Sequence, residues 1–160
     1  MTKFLLASAT GLFLLLVGCD DARVHETNIE LADKTWKAAD QVTIDFEIKD
    51  TTVHYNLYFN VRNSLDYPYS RLFVNYALVD PKGAELQKKM VGNYLFDQKT
   101  GEPFGQSGIG DLFDHQFPLL QQYRFHQTGV YKITFEQFMR KDTLLGVMAV
   151  GARIERASRE

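Results

Sequence analysis

Val42-Thr43-Ile44-Asp45-Phe46-Glu47-Ile48 decides the fold class of this chain. Successive side chains of a strand point to opposite faces, so Val42, Ile44, Phe46 and Ile48 form an apolar face while Thr43, Asp45 and Glu47 meet water. The same period of two follows at once: Val53, Tyr55, Leu57, Phe59 and Val61 alternate with His54, Asn56, Tyr58, Asn60 and Arg62. Lys49-Asp50-Thr51-Thr52 between the two runs reads as a hairpin turn.

Further along, Tyr67-Pro68-Tyr69 interrupts the pattern, since a proline cannot donate to a ladder. A third strand is expected over residues 71–79. Asp80-Pro81-Lys82-Gly83 is a turn signal, with proline setting φ at the second position and glycine free at the last. Residues 86–96 read as a fourth strand, and residues 97–117, with Gly101, Gly105, Gly108 and Gly110, as the longest irregular stretch. Strand signals resume over residues 123–127, 131–137 and 146–154. The expectation is an all-β antiparallel sandwich of about seven to eight strands with jelly-roll or Greek-key connections. A closed barrel is the alternative, because periodicity does not reveal closure.

The N-terminus carries a different signal. Lys3 is followed by an apolar run over residues 4–17 and then by Gly18-Cys19, the arrangement a signal peptidase needs to cut before a lipid-modified cysteine. Fourteen residues at about 1.5 Å each make roughly 21 Å of helix, short of the roughly 30 Å hydrocarbon core. Residues 1–18 are therefore expected to be a lipoprotein signal peptide with a helix over residues 4–17. Residues 19–35, polar and without clear periodicity, read as a lipid-anchored tether, and residues 36–160, opening at the single tryptophan Trp36, as the sandwich.

Removing residues 1–18 from the 160 leaves 142, enough for one domain with a proper core. Cys19 is the only cysteine, so no intramolecular disulfide supports the fold. Eighteen basic and 20 acidic residues give a net charge of −2, which offers nucleic acid no basic surface.

Candidate sites are few. Gly105-Gln106-Ser107-Gly108-Ile109 lacks the last glycine of a nucleophile elbow, and no βαβ unit surrounds these glycines to make a dinucleotide loop. They are read as a loop that needs positive φ angles. Asp111, Asp114 and His115 bring oxygen donors and an imidazole into five residues, but their spacing matches no known metal loop. Tyr58 projects opposite Leu57 and Phe59, beside Asn60 and Arg62, a mixture suited to contact with a partner. No catalytic residue, cofactor or small-molecule substrate is expected.

Cys19, the early Trp36, Tyr55-Asn56-Leu57-Tyr58, Val61-Arg62-Asn63 and Tyr67-Pro68-Tyr69 come in that order. They are followed by the loop from Gly101 to Asp111, Gln137-Phe138-Met139-Arg140-Lys141-Asp142, and Leu144 to Gly146 through Val150-Gly151. This succession resembles the GldH family of gliding-motility lipoproteins of the Bacteroidota, over nearly the whole mature domain. The resemblance implies a non-enzymatic lipoprotein that is needed for gliding and acts beside other gliding lipoproteins and a type IX secretion apparatus. It transfers Cys19 alone, as the acylation site where palmitate is carried. Asp20-Asp21 resembles surface-export signals of this phylum, whereas an aspartate next to the cysteine retains lipoproteins at the inner membrane in enterobacteria. An envelope location at the outer membrane or periplasmic face is expected, with the leaflet left open. The alternative reading is a carbohydrate-binding module or envelope hydrolase built on the glycine-rich loop with Asp111, Asp114 and His115.

Overall fold

The computed structural model describes residues 22–158. The expected signal peptide, its helix and Cys19 lie outside the described residues. Strands follow in the order β1 (Arg23–Glu30), β2 (Thr35–Lys37), β3 (Val42–Ile48), β4 (Tyr55–Ser64), β5 (Arg71–Val79) and β6 (Glu85–Tyr94). After these come β7 (Gln106–Ser107), β8 (Leu112–Tyr123), β9 (Gly129–Gln137), β10 (Thr143–Leu145) and β11 (Val147–Arg156). The two principal sheets run β1-β11-β4-β8-β7 and β3-β9-β5-β6, all pairs antiparallel, with β2 and β10 as a short separate ribbon. Leaving out the three short strands, the order is that of a jelly roll: first, eighth, third and sixth in one sheet, second, seventh, fourth and fifth in the other. The sheets are open at their edges, so the barrel alternative falls away.

The inward rows are the apolar rows of the sequence. Val42, Ile44, Phe46 and Ile48 of β3 meet Tyr55, Leu57, Phe59 and Val61 of β4 in one core with Leu72, Val74, Tyr76 and Leu78 of β5. At one end of the sandwich Phe125 sits among Phe46, Tyr55, Tyr123 and Tyr131, with ring centroids 4.5 to 6.0 Å away. At the other end Trp36 is fully buried and its indole N–H donates to the Asp40 carbonyl at 2.9 Å.

Four expectations need correction. The stretch read as a tether forms β1, an edge strand paired with β11 from Arg23 to Glu30, so the domain begins well before Trp36. Lys49-Asp50-Thr51-Thr52 is not a hairpin turn: β3 pairs with β9 and β4 with β11 and β8, so the chain crosses between sheets there. Residues 112–117, assigned to the irregular stretch, open the twelve-residue strand β8. That strand ends at Tyr123, and residues 124–127 form a loop that carries the buried Phe125. The Asp80-Pro81-Lys82-Gly83 turn does close the β5–β6 hairpin, with Asp80 Oδ1 accepting the N–H groups of Lys82 and Ala84 at 2.8 Å each. Among the described residues no helix is long and apolar enough to cross a membrane.

Candidate functional site

Period-two geometry puts Tyr58, Asn60 and Arg62 of β4 on the outer face of the larger sheet. Register then brings other polar side chains to them from three strands. Arg153 of β11 lies opposite Tyr58, Asp114 of β8 opposite Arg62, and Gln116 opposite Asn60, while β1 adds Glu26, Asn28 and Glu30 beyond β11.

These groups form two adjoining clusters, one around Arg153, Glu26 and Asn60 and one around Arg62. The Tyr58 hydroxyl donates to Glu155 Oε1 at 2.8 Å, and Glu155 Oε2 lies 3.0 Å from Arg153 Nε. Arg153 Nη1 reaches Glu26 Oε2 at 3.0 Å. The Asn60 amide donates to Glu26 Oε1 at 3.1 Å and to Asn28 Oδ1 at 3.2 Å, and Asn60 Oδ1 accepts from Gln116 at 3.2 Å. Arg62 grips Asp114 with two bonds, Nε to Oδ1 at 2.8 Å and Nη2 to Oδ2 at 3.1 Å, and stands 3.6 Å from Glu30. The Asp114 carboxylate raises the Arg62 pKa. Partial burial and the bond to Glu155 raise that of Tyr58.

Asn28 lies over β11 because residue 151 is glycine: a Cβ there would collide with the Asn28 side chain and the Thr27 carbonyl. Ala149 continues this low ridge, and above it opens a cleft of about 520 Å³. Glu26, Asn28, Asn60, Arg62, Asp114 and Gln116 border the cleft on the sheet side, Phe104 and Gly105 on the loop side. Tyr58 stands outside it.

The structure separates Asp111, Asp114 and His115. Asp114 and His115 are neighbours on a strand, so Asp114 faces outward to Arg62 while His115 turns inward, 7% exposed and stacked on Phe117 at 5.6 Å. Burial holds the His115 pKa down to about 4, against an opposing pull from Asp114. Asp111 sits in the turn before β8 at φ 39. Among the described residues no group of three or more His, Cys, Asp and Glu side chains is placed to hold a metal ion. Of the four glycines in this stretch, Gly101 and Gly110 have positive φ, while Gly105 and Gly108 do not. Gly105 serves a close approach instead, since a Cβ there would lie 2.7 Å from His115 Nε2 and 2.9 Å from the Asp114 carbonyl oxygen.

Glu26, Asn28, Arg153, Glu155 and Gln116 were not singled out by the sequence. A signal existed: Glu26, Asn28 and Glu30, like Arg153 and Glu155, recur at every second residue. Chemically the face offers fixed amides and mutually neutralised charges, suited to binding by complementarity.

The strand order and the ordered polar outer face define the class first: a compact jelly-roll β domain. A model of the GldH lipoprotein family matches residues 23–154, and the chain belongs to that family. It is 29% identical over 151 residues to the gliding motility lipoprotein GldH homolog of Christiangramia forsetii, with 90% of each chain covered. It is also 29% identical over 149 residues to the gliding motility lipoprotein GldH of Flavobacterium johnsoniae, covering 89% of this chain and 90% of that one. Among solved structures, the mosquito-larvicidal Cry4Aa toxin of Bacillus thuringiensis aligns at a TM-score of 0.42 and 13% identity. That alignment covers 84% of this chain but spans 24% of the toxin chain, and no functional argument follows from it.

Proposed function

We propose that this protein is a lipid-anchored component of the gliding-motility machinery of the cell envelope, acting through protein contacts and without catalysis. What carries the reading is the family match from β1 to β11, together with relatives named as gliding motility lipoproteins along 90% of their length. Cys19 is the acylation site. Several buried acyl chains, at about 0.8 kcal/mol per methylene, make a firm anchor. The outer face bearing Tyr58, Asn60 and Arg62 is a contact surface: its charges are balanced in place, so a partner meets a pre-ordered pattern and pays little ordering entropy. The partners are other gliding or type IX secretion proteins, and no cofactor is involved.

Affinity capture from gently solubilised envelopes tests this, comparing the wild-type chain with Cys19→Ala and with Tyr58→Ala/Arg62→Ala. Gliding or secretion components should accompany the wild type and be depleted from both variants. Their absence from every sample, or equal recovery with all three, would contradict the proposal.

A further inference from the structure

The outer face of the smaller sheet carries a patch of opposite character. Phe73 projects outward from β5 between the buried Leu72 and Val74. Beside it stand Met90 of β6, 50% exposed, and Phe138 just after β9, 58% exposed. With Tyr69 and Met139 they form a groove of about 440 Å³. The groove is rigidly held: Phe138 N–H donates to the Phe73 carbonyl at 2.8 Å, Phe73 N–H to Met139 Sδ at 3.3 Å, and Met139 N–H to Gln137 Oε1 at 2.8 Å. Large exposed apolar groups gathered on fixed backbone mark an interaction surface.

The rim is basic. Arg140 and Lys141 line the groove, and the Arg71 guanidinium lies 4.8 Å from the Phe73 ring centre and 4.6 Å from that of Tyr94. Lys88 shares the outward face of β6 with Met90. The acidic residue of this face on β9, Glu136, is hydrogen-bonded to Gln41. A cationic rim on a chain of net charge −2 selects a partner that brings carboxylates.

Apolar residues with basic neighbours also suit a membrane surface, but the anchor argues against that occupant. Only Asp20 and Asp21 lie between Cys19 and Ala22, so three Cα steps span at most about 11 Å of extended chain. The Ala22 carbonyl accepts the Arg156 N–H at 2.7 Å, and Arg156 pairs with Tyr55, so the acyl chains emerge at the end of the sandwich formed by Ala22, Tyr55 and Arg156. Ile48 pairs with Gly129 at that same end, while Gln137 pairs with Val74 toward the other. With the strands upright on the anchor, strand rise places Phe73 and Phe138 on the order of 20–30 Å beyond the anchored end, whereas interfacial side chains insert only about 5–10 Å.

We infer that the groove of Phe73, Met90 and Phe138 docks a segment of another envelope protein that offers apolar side chains flanked by carboxylates. Its orientation rests on the Cys19 anchor. The test uses the full chain in cells, with a photo-crosslinking benzoyl-phenylalanine in place of Phe138. Val130, 54% exposed on the same sheet near the anchored end, is substituted likewise as the control. Irradiation should give a discrete protein adduct from position 138 and not from position 130, and the captured peptide should contain Asp or Glu next to apolar residues. Arg140→Glu/Lys141→Glu, at two exposed positions, should cut the adduct by about tenfold while leaving thermal melting unchanged. Equal yields at the two positions, adducts with phospholipid alone, or adducts only with a second copy of this chain would overturn the inference. Fractionation of the same cells reads the anchor separately: recovery of the wild type in the soluble fraction removes the Cys19 reading, whatever the adducts show.

Discussion

Arg62 and Asp114 face each other across β4 and β8 in a two-bond clamp of 2.8 and 3.1 Å. It joins two features that are 52 residues apart, the polar face of one strand and the acidic run after the glycine-rich loop. Both side chains keep access to water, at 40% and 46% exposure. The clamp therefore orients the face more than it stabilises the fold.

Arg62→Ala and Asp114→Ala should each lower unfolding stability only slightly. A double-mutant cycle by urea titration should give a coupling of about 0.2–1 kcal/mol, the range of exposed ion pairs. A coupling several times larger would show the clamp to be structural.

His115 supplies a pH prediction. It is held neutral in the fold with a pKa of about 4, while the unfolded chain takes up its proton near 6.5. Between these values the unfolded state binds more protons. The stability that depends on neutral His115 is thus intact above about pH 6.5, lost as the pH falls toward 4, and level below. His115→Phe should remove up to about 3 kcal/mol of the acid-side loss in that window, read from urea titrations at pH 7, 5.5 and 4. Identical pH profiles for variant and wild type would contradict it. The carboxylates of Asp50, Asp80 and Asp97, lowered by hydrogen bonds from turn residues, lose their contribution at more acid pH in both proteins.

Gly151→Ala should loosen β1. A methyl group there pushes against Asn28 and the Thr27 carbonyl, so the edge strand must separate from β11 or shift register. The expected cost is about 1–3 kcal/mol, the usual range for an added methylene in packed structure. Hydrogen exchange of Glu26 to Ile29 amides should quicken more than that of β4 amides. Uniform protection would contradict the packing described.

How much was legible follows from which face each strand buries. The strands over residues 42–48 and 71–79 were readable to the residue because one face is wholly apolar. β1 was not: it is an edge strand whose inner side holds His25 and Thr27, hydrogen-bonded to each other at 2.9 Å, and only Ile29 as an aliphatic group. β8 hid for a similar reason, since His115 occupies an inward position and Pro118 interrupts the pattern opposite Tyr58. The turn at residues 49–52 looked like a hairpin because local turn residues carry no information about which sheet the chain enters next. The outer-face residues Tyr58, Asn60 and Arg62 were visible from alternation within one strand. Their partners on β1, β8 and β11 depended on long-range register.

Trp36→Ala should cost about 3–5 kcal/mol, because the ring is fully buried and its N–H bond to Asp40 is lost with it. A thermal melt shifted by only a degree or two would mean that the ribbon of β2 and β10 is dispensable.

The central claim is that Cys19 fixes this domain to a membrane so that its surfaces can act in gliding. The direct measurement is single-cell gliding on glass by a gliding bacterium whose own copy is replaced by this chain or by Cys19→Ala, with membrane and soluble fractions assayed in the same cultures. The wild type should restore gliding from the membrane fraction, and Cys19→Ala should be folded, soluble and unable to restore it. Gliding restored by a soluble Cys19→Ala protein would contradict the claim.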